Sequence, residues 1–469
     1  MSAQFTFDWA KGFGGDREDK ATSVIETFDG GLLLGGVVIQ KKTHLWLLKL
    51  DEKGQEVWGK TYENNFSSGA NSIIETTDSC IVAVGFITKK KNDRTTDGWF
   101  LKTNYKGKIL FEKQFGKSGN EELKDIVQIH DGGYVAVGFS DSNSDDEKEI
   151  WIIKIDAQAN LLWSKTYGDT EEDAANSVCL TSDGACVIAG YATRRDKHVL
   201  RLIKIDADGN DIWDKPFDTG ALREADDVVE TGNGSLVVVG YNSWTNSKQS
   251  DALVEILDAS GDSLYTLIYP VDGRAEATSV CTTHDSMVVV TGYSESNQLM
   301  KSNFWLKKIN IKGEMVWQSD FLRKSYDYPS SVTETRDNGL ISVGATYNLE
   351  QGWDYAALKY RTNNKTRIVF SSPYDTISAS GVKDFELDIC FTGDNSIQNV
   401  DVTVNGSLQF SGQPSKNLIT TKECPCPFIE IVHLQPGMNK VKISARDNRN
   451  YFVSEERIIY YIPPPNITW

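Results

Sequence analysis

Short apolar runs alternate with polar turns along about the first 360 residues, and the pattern recurs seven times. Typical runs are Tyr134-Val135-Ala136-Val137, Leu45-Trp46-Leu47-Leu48-Lys49-Leu50 and Ile150-Trp151-Ile152-Ile153-Lys154-Ile155. No segment has the 3.6-residue spacing of an amphipathic helix, so the runs predict strands. One stretch superposes without gaps. Ser23, Ser72, Asp125, Ser177, Asp227, Ser279 and Ser331 are each followed by Val or Ile. Five residues past that Val or Ile stands Asp29, Asp78, Asp131, Asp183, Asn233, Asp285 or Asp337, and twelve past it stands Gly36, Gly85, Gly138, Gly190, Gly240, Gly292 or Gly344. Asp and Gly supply the backbone angles of a tight turn, so each repeat opens as strand, turn, strand. A third strand ends in turns such as Asp51-Glu52-Lys53-Gly54 and Asp206-Ala207-Asp208-Gly209. A fourth carries two aromatics four residues apart: Trp9/Phe13, Trp58/Tyr62, Phe111/Phe115, Trp163/Tyr167, Trp213/Phe217, Tyr265/Tyr269 and Trp317/Phe321, at steps of 49, 53, 52, 50, 52 and 52 residues.

Four antiparallel strands per repeat make one blade of a β-propeller. The expected fold is therefore all-β, with a seven-bladed propeller over residues 5–361. The seventh repeat stops after its third strand near Lys359-Tyr360-Arg361, whereas the chain opens with Phe5-Thr6-Phe7-Asp8-Trp9-Ala10-Lys11, a fourth strand without its first three. Pairing this N-terminal strand with the blade built from residues near 327–361 closes the ring and removes an open sheet edge. A linker is expected at 362–366. Residues 367–462 carry a different strand pattern, with Phe385–Phe391, Val400–Val404 and an Asn405-Gly406 hairpin signal, which predicts an immunoglobulin-like β-sandwich. Residues 463–469 form a Pro-rich spacer; Asn466-Ile467-Thr468-Trp469 echoes Arg367-Ile368-Val369-Phe370, so a further module is expected downstream of Trp469.

The net charge of -17 argues against a generic grip on nucleic acid or an anionic membrane. No apolar run approaches the roughly 20 residues of a membrane span, and no membrane insertion is expected. Cys80, Cys179, Cys186 and Cys281 lie in expected strands as packing residues, and Cys424-Pro425-Cys426 has no second pair with metal-ligand spacing. Met1-Ser2-Ala3-Gln4 has no basic and apolar leader. Ala-Gln before the first repeat has the residue pattern left by a signal-peptidase cut, which fits a secreted, periplasmic or surface protein; a cytoplasmic chain with a short N-terminus is the alternative.

The Asp-Gly-Gly turn, the Trp-Leu-Leu-Lys-Leu-Asp strand and the Gly-x-x-x-Trp element resemble β-propeller repeats of secreted bacterial proteins, especially those of Bacteroidota. The resemblance covers residues 5–361 and weakens over blades five to seven. Glu255 stands where other blades carry the strand-three Lys, and Ala356 stands where four others carry Trp. The tail, notably Pro436–Asp447, resembles immunoglobulin-like modules that accompany caspase-like peptidase domains in the same bacteria, although no peptidase residues occur here. Neither resemblance implies one fixed function.

Candidate chemistry lies in two places. Ser23, Ser72, Asp125, Ser177, Asp227, Ser279 and Ser331 should ring the mouth of the central channel, where Asp125 and Asp227 offer an acid/base pair, or where all seven satisfy backbone groups and water. The loops between strands two and three vary most: one carries Lys89, Lys90, Lys91 and Arg94, one carries Asp145 and Asp146, and one exposes Trp244. Carboxylates also cluster at Glu18-Asp19, Glu121-Glu122 and Glu171-Glu172-Asp173, on the loops joining successive blades. Asp206–Asp211 fails as a calcium loop because position six is Asp211 and position twelve is Phe217. No metal or cofactor is expected. These features favour a non-catalytic recognition or scaffold module for a protein or glycan partner. The alternatives are a propeller-type polysaccharide hydrolase or lyase, or a sensor region of a longer peptidase.

Overall fold

Seven four-stranded antiparallel sheets follow one another along the unit Met1–Arg361. The computed structural model describes residues 5–14, 19–39, 42–63, 67–89, 95–142, 147–168, 171–244, 249–296, 301–321, 326–348, 352–362, 367–372, 377–380, 384–392, 397–413, 426–447 and 452–461. The innermost strands are Lys20–Glu26, Ser68–Glu75, Glu121–Gln128, Asp173–Leu180, Leu222–Glu230, Gly273–Thr282 and Tyr326–Glu334. Each touches the next, and the last returns to the first. This closed ring is consistent with a seven-bladed β-propeller. As the sequence predicts, Phe5–Phe13 supplies the outer strand of the seventh sheet by pairing with Gly352–Thr362. Thr362, expected in the linker, thus ends a strand, and residues 363–366 lie outside the described residues. Apolar clusters are shared between neighbouring blades. Leu33, Leu45 and Leu47 pack with Ala70, Ile73 and Ile81, and Ala21 and Leu34 close the ring against Ile341 and Val343.

The repeated glycine has a specific cause. In every blade the innermost strand bulges, with the register shifting across Ala21/Ser23, Ala70/Ser72, Leu123/Asp125, Ala175/Ser177, Ala225/Asp227, Ala277/Ser279 and Pro329/Ser331. The extra residue is Thr22, Asn71, Lys124, Asn176, Asp226, Thr278 or Ser330. Opposite the bulge stands the glycine, where a Cβ on Gly138, Gly190 or Gly240 would run into the carbonyl oxygen of Glu122, Ala174 or Glu224. The bulge therefore needs a residue without a side chain across from it.

The turn aspartate does more than shape a turn. Its carboxylate accepts from a buried strand-three lysine, as in Lys102–Asp78 (2.9 Å), Lys154–Asp131 (3.0 Å), Lys204–Asp183 (2.7 Å) and Lys308–Asp285 (2.8 Å). Hydrogen bonds from Lys204 and Thr181 hold the Asp183 carboxyl at about 2, against the opposing effect of burial. Blade five corrects the sequence alignment. Ile256, not Glu255, pairs with Val237 and Tyr265, the register that lysine holds elsewhere (Lys204 with Val187 and Trp213). One residue of offset puts Glu255 on the opposite sheet face. There Ser263 and Thr266 donate to it, and Arg223 lies 3.6 Å away. Blade five has thus replaced a Lys–Asp pair by the neutral pair Ile256 and Asn233.

The aromatic pairs join one blade to the next. A Cβ on Gly54 or Gly209 would meet the indole of Trp9 or Trp163 at 2.6 or 2.8 Å, so each indole lies on a turn glycine of the neighbouring blade. Trp9 makes this contact for the N-terminal strand, and Lys11 Nζ donates to the Gly54 carbonyl (2.7 Å) beside it.

The second unit, Thr362–Trp469, contains two sheets. One has strand order Arg367–Ser372, Asp384–Thr392, Cys426–His433; the other runs Ile377–Ser380, Phe452–Tyr461, Gly437–Asp447, Ile397–Val404, Ser407–Gly412. Leu387 and Val432 of the first meet Val400, Val402, Val441, Ile443 and Ile459 of the second in one core.

Candidate functional site

The seven ring residues lie directly after the bulges, and their polar atoms are directed to the next blade. The amides of Val24, Ile73 and Val332 donate to the Oγ atoms of Ser331, Ser23 and Ser279, each at 3.3 Å. Asp125 accepts from the Val178 amide (2.9 Å) and Ser177 Oγ (3.1 Å) and is hydrogen-bonded to Ser72. Asp227 accepts from the Val280 amide, Ser177 Oγ and Ser279 Oγ, each at 2.9 Å. Burial raises both carboxyls, Asp227 to about 6, with Asp125 adding its repulsion there. The ring thus forms a hydrogen-bonded girdle holding blade to blade.

Of the basic loop, Lys89 Nζ donates to the carbonyls of Lys117 (2.6 Å) and Gly119 (2.8 Å) and pairs with Asp97 (3.0 Å). Lys90, Lys91, Arg94, Asp145 and Asp146 lie outside the described residues. Trp244 is 62% exposed. The loop carboxylates Asp19 and Asp173 are buried and accept from the amides of Ile39 (2.9 Å) and Thr193 (2.8 Å), which gives them a local structural role. Burial pushes the thiols of Cys179, Cys186 and Cys281 up, Cys186 to about 12, so they stay protonated packing groups.

A different group of residues departs from the repeat. The position after the bulge-facing glycine is Tyr191, Tyr241 and Tyr293 in blades four, five and six. Tyr241 and Tyr293 donate to Glu224 (2.5 Å) and Glu276 (2.7 Å), three residues before the ring, and Tyr191 donates to Glu172 (3.2 Å). His198 stacks on Tyr191 with ring centroids 4.2 Å apart and pairs through Nδ1 with Glu224, which raises the imidazole pKa. Lys148 pairs with Glu172. In blade seven Tyr328 donates to Glu295 (2.6 Å). Between blades five and six opens a recess of about 330 Å³ lined by Tyr241, Ser243, Gln249, Arg274, Glu276 and Tyr293. Trp244 follows Ser243 in the chain.

Behind Glu276 lies the bulge residue Asp226. In blades one, two and four this position holds a donor that reaches the next blade: Thr22 Oγ1 to the Ala70 carbonyl (2.8 Å), Asn71 Nδ2 to the Leu123 carbonyl (2.8 Å), Asn176 Nδ2 to the Ala225 carbonyl (2.9 Å). Asp226 has no such donor. Its Oδ2 is sealed from solvent and accepts from no donor. Burial, then the charges of Glu276 and Glu224, push the Asp226 carboxyl well above its ordinary range; burial likewise raises Glu276. The sequence reading singles out Glu172 and Trp244 but not Tyr191, Tyr241, Tyr293, Glu276 or Asp226. Tyrosine after the glycine in three successive repeats is the signal that could have found them.

The strand order and ring closure define a β-propeller repeat protein. No protein-family model matches the chain, and no curated protein matches it. Among solved structures, it is similar to a protein of unknown function from Dyadobacter fermentans (13% identity, TM-score 0.45, 64% of this chain and 97% of that one). It is also similar to Sqt1 from Chaetomium thermophilum (12%, 0.43, 74% and 86%). A third likeness is to the β-propeller domain of the Trilobed protease from Pyrococcus furiosus (12%, 0.40, 76% and 98%). These are distant likenesses of architecture, and none bears on function.

Proposed function

We propose that this chain is a non-catalytic recognition module that binds a glycan in the recess between blades five and six. The observation that carries this reading is the tyrosine-walled recess between Tyr241 and Tyr293. Its volume of about 330 Å³ is at the small end of ordinary ligand pockets and suits one or two sugar rings rather than a folded protein face. Flat aromatic walls cover the apolar faces of a sugar, while Ser243, Gln249, Arg274 and Glu276 offer donors and acceptors to its hydroxyls. The exposed Trp244 follows Ser243 of the lining in the chain. The second unit serves as an immunoglobulin-like stalk, a reading supported by its three- and five-stranded facing sheets. The resemblance of the repeat to secreted bacterial propellers supports a site of action outside the cytoplasm, with a protein partner as the alternative occupant of this face.

A glycan array probed with the full chain tests the reading, followed by affinity measurements on Tyr293→Ala and Trp244→Ala. Each variant should weaken binding about tenfold or more, since a stacked aromatic in a binding site commonly supplies over 1 kcal/mol. A chain that binds no glycan, or binds equally well after both changes, refutes it. Glycan cleavage is a second reading, favoured by the raised carboxyls of Asp226 and Glu276 near two tyrosines. Turnover of a bound glycan that disappears in Glu276→Gln would replace recognition by catalysis.

A further inference from the structure

We propose that Asp125, Ser177 and Asp227 form a pH-sensitive clasp in the channel girdle, which holds one extra proton between the two carboxyls and loosens when that proton leaves. The inference is independent of the recess between blades five and six. It rests on counting hydrogens. Ser177 Oγ lies 3.1 Å from Asp125 Oδ2 and 2.9 Å from Asp227 Oδ1. A serine hydroxyl has one hydrogen and ionised carboxylates only accept, so it satisfies one of the two contacts. The other donors around the pair are committed. The Ile126 and Val178 amides serve Asp125, and the Val228 and Val280 amides with Ser279 Oγ serve Asp227. The missing hydrogen then sits on a carboxyl.

The repeat shows where it goes. Ser23, Ser279 and Ser331 each accept the amide that follows the ring residue of the next blade, namely Ile73, Val332 and Val24. At Ser177 the equivalent amide is that of Val228, and it donates instead to Asp227 Oδ1 (2.8 Å). Ser177 Oγ thus keeps an acceptor position that the repeat fills elsewhere. A protonated carboxyl on one side donates into it, and the Ser177 hydroxyl donates to the carboxylate on the other. With that proton, one bonded chain runs Ser72–Asp125–Ser177–Asp227–Ser279 through blades two to six. When the proton passes to solvent, the pair goes from one negative charge to two, and two carboxylates face one hydrogen.

The other titratable groups facing the pair are Cys179 from blade four, Asp226 from blade five and Cys281 from blade six, and none of them supplies a positive charge. Burial raises both carboxyls, and the charge of Asp125 adds to it at Asp227, which reaches about 6. A raised acid stabilises the fold below its unfolded value of about 3.9, and that contribution is lost as pH rises through the folded value. The clasp is therefore closed in mildly acidic surroundings and loosened in neutral and alkaline ones.

Urea unfolding of the full chain from about pH 4 to about pH 8, followed by tryptophan fluorescence, compares the native protein with Asp125→Ser and Asp227→Ser. Serine fills the same ring place in the other five blades, which guards both variants against misfolding. Relative to either variant, the folding equilibrium constant of the native protein should fall about tenfold per pH unit between about pH 4 and about pH 6, then level off. Infrared spectra at about pH 5, where an ordinary carboxyl is ionised, should show one protonated carboxyl fewer in each variant than in the native protein. A native protein whose stability relative to both variants is independent of pH overturns the inference. So does a dependence that persists undiminished in Asp125→Ser, because Asp227 would then hold its proton through burial alone. Equal protonated-carboxyl bands in all three proteins overturn it as well.

Discussion

Replacing Asp226 by Asn is expected to stabilise the protein, which is unusual for a change at a buried, hydrogen-bonded position. The structure contains the product in another blade. Asn71 occupies the same bulge one blade before Glu122, and its Nδ2 donates to Glu122 Oε1 and to the Leu123 carbonyl, each at 2.8 Å. The amide introduced by Asp226→Asn would face Glu276 and the Ala277 carbonyl in the equivalent way. In the native protein the same place holds a carboxyl whose buried Oδ2 finds no donor. Relieving one buried unsatisfied acceptor amounts to about 1–3 kcal/mol.

The gain should depend on pH in a direction set by the raised Asp226 pKa. Below the ordinary carboxyl value of about 3.9 the group is protonated folded and unfolded, and it can donate to Glu276 much as an amide would. As pH rises through the higher folded value, the native protein loses that contribution while the variant keeps it. The difference between the two proteins should therefore be near zero at about pH 4 and reach about 1–3 kcal/mol at about pH 7.5. Urea unfolding followed by tryptophan fluorescence measures it. Eleven of the 12 tryptophans precede residue 362, Trp469 being the exception, so the signal reports the propeller. An Asp226→Asn variant less stable than the native protein at pH 7.5, or one whose advantage is the same at both pH values, refutes the reasoning.

Three further outcomes follow from the repeated contacts. Asp285→Ala strands the Lys308 ammonium, which is 2% exposed, and should cost about 3–5 kcal/mol, whereas Lys308→Met leaves Asp285 in a partly exposed turn and should cost about 1–2 kcal/mol; equal losses on denaturant unfolding would place the pair at the surface. Gly138→Ala forces a Cβ into the Glu122 carbonyl and should destabilise by about 1–3 kcal/mol, while unchanged stability would mean the bulge has room. Deleting residues 1–13 removes buried Phe5, worth about 1.5–3 kcal/mol, and bares the edge of Gly352–Thr362, so light scattering should show self-association; a monomer of native stability would mean that the ring closes without that strand.

The fold was legible because the contacts that build it recur. Each of the seven bulges needs its glycine, and four outer-strand tryptophans (Trp9, Trp58, Trp163 and Trp213) lie on a turn glycine of the next blade, so both signals recur in one sequence. The register of blade five was not legible, because Leu253-Val254-Glu255-Ile256-Leu257 is apolar on both sides of the glutamate and strand pattern alone does not say which residue faces which way. The Lys–Asp pairs were hidden as well, since about twenty residues separate partners such as Lys204 and Asp183 and each looks like ordinary strand or turn chemistry. The ring's pattern is compatible with both a site and a structural girdle. Its hydrogen bonds go to neighbouring blades, which no single-blade pattern could reveal.

The candidate site follows from the same logic applied in reverse. A residue repeated in every blade is explained by packing, and so is a neutral substitution that keeps the packing chemistry, such as Ile256 with Asn233 in place of a Lys–Asp pair. Asp226 fits neither description. It keeps the shape of the asparagine found in blades two and four but removes the donor and adds an acid, near a second half-buried carboxyl, Glu276. Stability alone favours the amide at that position. An acid retained against that preference, in the two blades whose Tyr241 and Tyr293 line the recess, is what selection for something other than stability would leave.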